Sequence, residues 1–250
     1  MLEISEIFGP TIQGEGKKIG TPSVFIRFSK CNMNCSGFNV AYQTQNGDQH
    51  YSCDSYYAVD PSFKTQWRRY ETHEEIVQET EKLFLGYKPD IVITGGEPLI
   101  YWNNKEFQKL LEYFVLNNFS VTIETNGSLS IDFTQAYQKE ILFSLSVKLS
   151  NSGEPFAKRI NIKALTTVIN ETKESYIKFV INKAFINEAQ KEIDEILNQI
   201  PFVEVYLMPM GETINELNDN AKAVIEMAIH NNFKYSDRLH IRVWDNKRGV

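Results

Sequence analysis

Short apolar runs rich in β-branched and aromatic residues recur along the chain at 23–28, 90–94, 120–124, 141–145, 176–180, 203–207 and 239–243, and each reads as a strand. Between most of them the period changes to that of a helix. Phe107, Leu110, Leu111 and Phe114 follow the i, i+3, i+4, i+7 rule of one buried face, as do Ala189, Ile193, Ile196, Leu197 and Ile200. Thr72-x-x-Glu75 opens a further helix toward Leu85 as a capping box, hydroxyl and carboxylate satisfying end N–H groups reciprocally, and Thr213-x-x-Glu216 repeats the signal. Alternating strands and helices imply βαβ units, a mainly parallel sheet, and ligands beyond the carboxyl ends of its strands. About six or seven strands predicts an α/β fold with a partial, open βα barrel rather than a closed eight-fold one. No repeat, low-complexity tract or linker interrupts the pattern, so one domain over 1–250 is expected.

Composition agrees with an ordinary globular chain: 42% hydrophobic and 23% charged excludes disorder and collagen-like repeats. No apolar run approaches the ~20 residues that span a bilayer, and the start, Met1-Leu-Glu-Ile-Ser-Glu6, has neither the basic flank nor the apolar stretch of a secretory signal. A cytoplasmic location without a membrane partner is expected. With 26 basic against 32 acidic residues the net charge is -6, which argues against broad phosphate-backbone binding and thus against a nucleic-acid partner. For the same reason any docking face for an acidic protein must be a local basic patch.

The three cysteines, Cys31, Cys35 and Cys53, fall within 23 residues. An odd, sparse set of thiols in a reducing compartment is no disulfide framework; it is chance or a metal site. Cys31-Asn-Met-Asn-Cys35 follows the strand at 23–28, on the kind of loop that carries chemistry. Asn46-Gly47 predicts a type I′ turn in a hairpin from about 40 to 51, which would fold the intervening chain back and let Cys53 approach Cys35. Three thiolates leave one position open, as suits an iron–sulfur cluster with an exchangeable site; adding His50 makes a zinc site of three cysteines and one histidine, and inert buried thiols are the third possibility. After the strand at 90–94 comes Gly95-Gly96-Glu97-Pro98. Its glycines let backbone approach a ligand, Glu97 offers a carboxylate to a cation such as an ammonium, and Pro98 stiffens the exit, although a plain βα turn fits the same residues.

Together these segments resemble the radical S-adenosylmethionine (SAM) family, in which a Cys-x3-Cys-x2-Cys loop after the first barrel strand holds a 4Fe–4S cluster and Gly-Gly-Glu-Pro binds the SAM amino group. Within it the chain resembles the 7-carboxy-7-deazaguanine synthases of the queuosine pathway, through Glu6-Ile-Phe-Gly-Pro-Thr-Ile-Gln-Gly-Glu-Gly16, Arg27, Cys53-Asp-Ser55, Thr94-Gly-Gly-Glu-Pro98, Glu124-Thr-Asn-Gly127, Ser146-Val-Lys148, Lys178-Phe-Val180, Leu207-Met-Pro-Met210 and Asp237-Arg-Leu-His-Ile241. One departure stands out. The family's two residues between second and third cysteines are here 17, an insertion at about 36–52.

The resemblance implies a lyase that contracts 6-carboxy-5,6,7,8-tetrahydropterin to 7-carboxy-7-deazaguanine with loss of ammonia, using a 4Fe–4S cluster, SAM and Mg²⁺. It implies cluster ligation by Cys31, Cys35 and Cys53 and a hydroxyl ligand to Mg²⁺ from Ser55. SAM contacts are implied for Ser52, Asp54, Gly96, Glu97, Ser146, Lys148, Met208, Pro209 and Met210. Pterin contacts are implied for Ile12, Gln13, Gly14, Glu15, Arg27 and Thr94, with Glu15 accepting from the amino-pyrimidinone edge and Arg27 pairing the carboxylate. A homodimer, a flavodoxin or ferredoxin as one-electron donor, and a basic C-terminal tail (242–250) covering the substrate are further expectations. The rival readings are a glycyl-radical activase of the same family and a non-enzymatic zinc module using His50.

Overall fold

The computed structural model describes residues 1–249. Among them nine strands form one sheet in the order β11-β10-β9-β8-β7-β6-β2-β1-β5. The strands are β1 (Leu2–Ile12), β2 (Pro22–Phe28), β5 (Arg68–Tyr70), β6 (Asp90–Gly95), β7 (Val121–Thr125), β8 (Leu142–Leu145), β9 (Ser175–Ile181), β10 (Glu204–Pro209) and β11 (Lys234–Tyr235). From β2 through β11 every pairing is parallel, whereas β1 runs antiparallel to both β2 and β5. The sheet is open, with β11 and β5 at its edges, which is the expected α/β partial barrel. Strand β1 was not among the predicted ones: Glu6 and the Gly9-Pro10 step break its apolar pattern, and its pairing with β2 slips register in two places.

The helices are α1 (Tyr56–Val59), α2 (His73–Glu81), α3 (Lys105–Leu116), α4 (Phe156–Arg159), α5 (Ile162–Glu171), α6 (Ile186–Leu197), α7 (Ile214–Asn231) and α8 (Leu239–Trp244). At α2 the capping box forms with both halves, but the helix stops at Glu81, short of Leu85. At α7 only half of it forms. Thr213 accepts from the Glu216 N–H, while Glu216 turns its carboxylate to the N–H of Glu212 at 2.7 Å.

Two expectations change. The run at 239–243 is the helix α8, not a strand: five alternating residues fit either period, the sheet beyond β10 is already closed by β11, and only Ile241 needs burial. The hairpin is real, β3 (Val40–Gln43) pairing β4 (Gln49–Ser52) with Val40 opposite Ser52, yet its turn is not type I′. Thr44 and Asp48 close a three-residue loop in which Gly47 alone has positive φ (+89°) and donates to Thr44 O at 3.0 Å. That is the type I turn with a following left-handed residue, and Asn46 needs no positive φ.

Side-chain alternation assigns the two faces of the parallel sheet. Val24, Ile26 and Phe28 of β2, Ile91 and Ile93 of β6, Ile123 of β7, Ile177, Phe179 and Ile181 of β9 and Leu207 of β10 are all fully buried in one apolar cluster with Phe107, Leu110, Leu111 and Phe114 of α3 and Ile193 of α6. Residues one position off, Arg27, Thr94, Glu124, Lys178 and Met208, line a cavity instead. Parallel pairing sets Arg27 beside Thr94, so the polar row crosses the sheet near the strands' carboxyl ends.

Candidate active site

The cavity has a volume of about 460 Å³ and gathers residues from most strand ends, the cysteine loop and α8. Cys31, Cys35 and Cys53 all line it. Met33 N–H donates to Cys31 Sγ at 3.3 Å, and Cys35, in left-handed backbone (φ +52°), has its N–H held at 2.9 Å by the buried carboxylate of Glu154. Ser52 ties the returning hairpin to the outgoing loop by donating to Asn34 O at 2.5 Å. Gly96 lets the β6 end close on this loop: a Cβ there would sit 2.1 Å from Lys30 O. Burial pushes all three thiols up, Cys35 to about 12, so their thiolates call for a cationic centre; Lys148 acts in that direction on Cys35 and Cys53.

A tetrahedral zinc ion sets its sulfur ligands about 3.8 Å apart. Among the described residues the one trio of candidate ligands within 4.8 Å of one another is His73, Glu74 and Glu106, at the start of α2, and not the cysteines. His50 is exposed on the hairpin, with Nδ1 3.4 Å from Asp60, and is not among the residues lining the cavity with the three cysteines. Three thiols lining one cavity are the ligand set of a cluster that keeps one position open.

Of the other residues expected around SAM, Asp54, Gly96, Ser146, Lys148, Met208 and Met210 line the cavity, and Lys148 Nζ donates to Ser146 Oγ at 2.9 Å. Ser52, Glu97 and Pro209 do not. Ser52 is occupied by Asn34, Pro209 is buried at the end of β10, and Glu97 is fully buried, accepting from Thr125 Oγ1 (2.7 Å), Asn126 N (2.7 Å) and Leu99 N (3.0 Å). Burial drives the Glu97 carboxyl above its ordinary range in spite of those donors. Its side chain fixes the β6 and β7 loops.

Ile12, Gln13, Gly14, Glu15, Arg27 and Thr94 all line the cavity, as does Ser55. Arg27 donates to Glu6 Oε1 (2.7 Å) and Ser55 Oγ (3.2 Å), and its guanidinium lies over the Phe8 and Tyr57 rings. Glu15 accepts from Lys178 (2.5 Å) on one oxygen and from Arg238 (2.9 Å) on the other. Burial raises the Glu15 carboxyl, but Lys178, Arg238 and His240 outweigh it and hold the group well below the carboxylate range. Arg238 also donates to Asp54 at 2.6 Å and to Gly211 O at 2.6 Å. Glu124 meets only neutral donors, Thr94 Oγ1 at 2.8 Å and Gln13 Nε2 at 3.1 Å. His240 packs so close to Gly14 that a Cβ there would fall 1.9 Å from its Nδ1. Lys178, Arg238, Glu124 and His240 were not among the expected site residues; a charge set between apolar neighbours in a strand, as in Ile177-Lys178-Phe179, was the available signal. Phe38, Asn39 and Val40 of the insertion also line the cavity.

An open α/β sheet whose strand ends carry a three-thiol loop defines an iron–sulfur enzyme, and a profile described as "4Fe-4S single cluster domain" matches residues 12–152. A curated 7-carboxy-7-deazaguanine synthase from Rhodopirellula baltica is 34% identical, covering 100% of this chain and 89% of the relative, and one from Halobacterium salinarum is 28% identical over 98% and 91%. The crystal structure of QueE from Escherichia coli superposes with a TM-score of 0.64 at 22% identity, covering 96% of this chain and 94% of that one, and so shares the fold. The chain belongs to the 7-carboxy-7-deazaguanine synthase family.

Proposed function

We propose that the chain performs the family's reaction, contraction of 6-carboxy-5,6,7,8-tetrahydropterin to 7-carboxy-7-deazaguanine with release of ammonia, in 7-deazapurine biosynthesis. The observation that carries it is the convergence, on one cavity, of three thiols, the Gly96 strand end and the polar row Arg27, Thr94, Glu124 and Lys178. When bound at Cys31, Cys35 and Cys53, the cluster together with SAM supplies the radical that removes hydrogen from the pterin ring.

The chain's own groups hold and orient. Gly96, Ser146, Lys148, Met208 and Met210 form the SAM side, while Glu97 and Ser52 keep the loops beneath it in place and Pro209 ends the supporting strand. Ser55 Oγ and Asp54, bonded to each other at 3.3 Å, offer the oxygens that Mg²⁺ requires beside Arg27. Arg27 takes the pterin carboxylate, its fork already aimed by Glu6 and the two aromatic rings. The amino-pyrimidinone edge meets Glu15 and Glu124, with Ile12, Gln13, Gly14 and Thr94 shaping the slot. Burial pushes His240 below its ordinary value against the pull of the nearby carboxylates, and its ring forms a wall over Gly14.

A cytoplasmic homodimer served by a flavodoxin- or ferredoxin-like donor fits this chemistry, and no described helix is long and apolar enough to cross a membrane. Anaerobic iron–sulfide reconstitution, then incubation with SAM, reductant, Mg²⁺ and carboxytetrahydropterin, tests the reading. The expected result is iron–sulfur absorbance and deazaguanine product. Zinc in place of iron, or a competent cluster without product, would overturn it.

A further inference from the structure

Cys31 lines two spaces. Besides the central cavity it borders an outer groove of about 680 Å³, formed with Asn32, Met33, Tyr42, His50, Asp60 and Lys158 among others, so the loop at 31–33 is a thin wall between the cluster position and the surface. The inserted hairpin supplies one bank of that groove, and no step of the proposed chemistry uses it there.

Charge on this side departs from the acidic whole. Lys158, 44% exposed, lines the groove and pairs with Glu154, the carboxylate that holds the Cys35 N–H. Lys30, 48% exposed, directly precedes Cys31 and pairs with Glu3, which also takes Arg69, 53% exposed, at 3.2 Å. Lys64, three residues beyond the groove residue Pro61, adds its field at Glu3. The acids beneath are covered, Glu154 at 7%, Glu3 at 8% and Asp60 at 15% exposed, so this region presents cations to solvent. Asp48 is the acid on the hairpin, and it lies at the turn, away from Cys53.

We propose that this groove, banked by the hairpin, with Lys158 on its wall and Lys30 and Lys64 on the adjoining chain, is the docking face for an acidic flavoprotein that reduces the cluster by way of Cys31. The proposal rests on the iron–sulfur reading above. One electron leaves the reduced flavin and enters the cluster; no bond or proton is transferred. The occupant follows from charge, because an acidic carrier meets repulsion from the -6 chain as a whole and attraction here.

The test uses reconstituted full-length protein, the triple variant Lys30→Gln/Lys64→Gln/Lys158→Gln, and a control with the same charge change elsewhere, Lys88→Gln/Lys105→Gln/Lys222→Gln. Cluster reduction is followed by absorbance with reduced flavodoxin as probe and, separately, with dithionite; flavodoxin affinity is measured by calorimetry. The groove variant should lose about tenfold in rate and affinity with flavodoxin at low salt, with a flatter salt dependence, while dithionite reduces all three proteins alike. Equal flavodoxin rates in all three, or the same loss in both triple variants, would overturn the docking face. Absence of any dithionite-reducible cluster would instead fail the underlying reading.

Discussion

The thiol wall of the cavity, residues 31–53, is a loop and a hairpin held by backbone N–H groups, Ser52 and the carboxylate of Glu154, whereas the charged wall is built from Glu15, Lys178, Arg238 and Asp54 on separate elements joined by ion pairs. The thiols are raised by burial and stand ready for a metal centre. The carboxylate of Glu15 and the ammonium of Lys178 are each held in the charged form by the other. One wall is thus completed by what it binds and the other is complete in itself, which is how a site keeps its substrate slot shaped whether or not the cofactor is present.

Substitution should separate the walls by opposite signatures. Replacing Cys31, Cys35 or Cys53 with Ala should abolish iron binding and SAM cleavage, since no spare cysteine exists, while leaving the denaturation midpoint of the cluster-free protein little changed. A variant that still cleaves SAM would break the assignment. Glu15→Gln should do the reverse first, lowering unfolding free energy of the cluster-free protein by about 3 kcal/mol at pH 7, because Lys178 and Arg238 would stay buried with less compensation. The sign with pH follows from the lowered carboxyl: its contribution is full above about pH 4.5, the unfolded value, and fades as pH falls toward the folded value. Denaturant curves for both proteins should therefore converge below about pH 4.5; a constant gap would mean that Glu15 acts through packing alone.

Much of the thiol wall was legible in the chain, because cysteine spacing is local and Asn46-Gly47 signals a hairpin whatever its exact turn. The charged wall was legible only in part. Glu15 and Asp54 sit in recognisable motifs, but what occupies them, Lys178 and Arg238, lies 163 and 184 residues away in sequence from its partner, beyond the reach of any local pattern. The same limit explains α8, whose five alternating residues gave the period of a strand while tertiary context supplied no strand to pair with. Glu97 shows the converse: a motif named its residue, and only the fold revealed that its buried carboxylate accepts from Thr125, Asn126 and Leu99.

Between the two walls stands Arg27, which touches Ser55 just beyond the thiol segment and faces the polar row. Arg27→Lys keeps the charge but loses the fork and the stacking over Phe8 and Tyr57, so pterin affinity should fall about tenfold, the equivalent of about 1.4 kcal/mol, with cluster content unchanged. Equal affinity in a binding titration would remove Arg27 from the substrate side.

The smallest expected effect comes from the C-terminal tail. Arg248 stacks over Tyr57 at 4.3 Å and over Tyr56 at 4.9 Å; Tyr57 donates to Glu6 at 2.8 Å, and Glu6 holds Arg27. Tyr56 in turn stacks on Tyr42 of the hairpin at 4.1 Å, so the tail clips the inserted segment to the arginine of the substrate slot. A partly exposed cation–π contact contributes about 0.5–1 kcal/mol, which sets the scale of its influence at a few-fold. Arg248→Ala should weaken pterin binding about threefold and leave iron content unchanged. Deleting 246–250, which includes Val250 outside the described residues, should cost no more than that if the tail acts through Arg248 alone. A much larger loss on deletion would mean that the tail itself covers the substrate, and unchanged binding and turnover would disconnect it from the site.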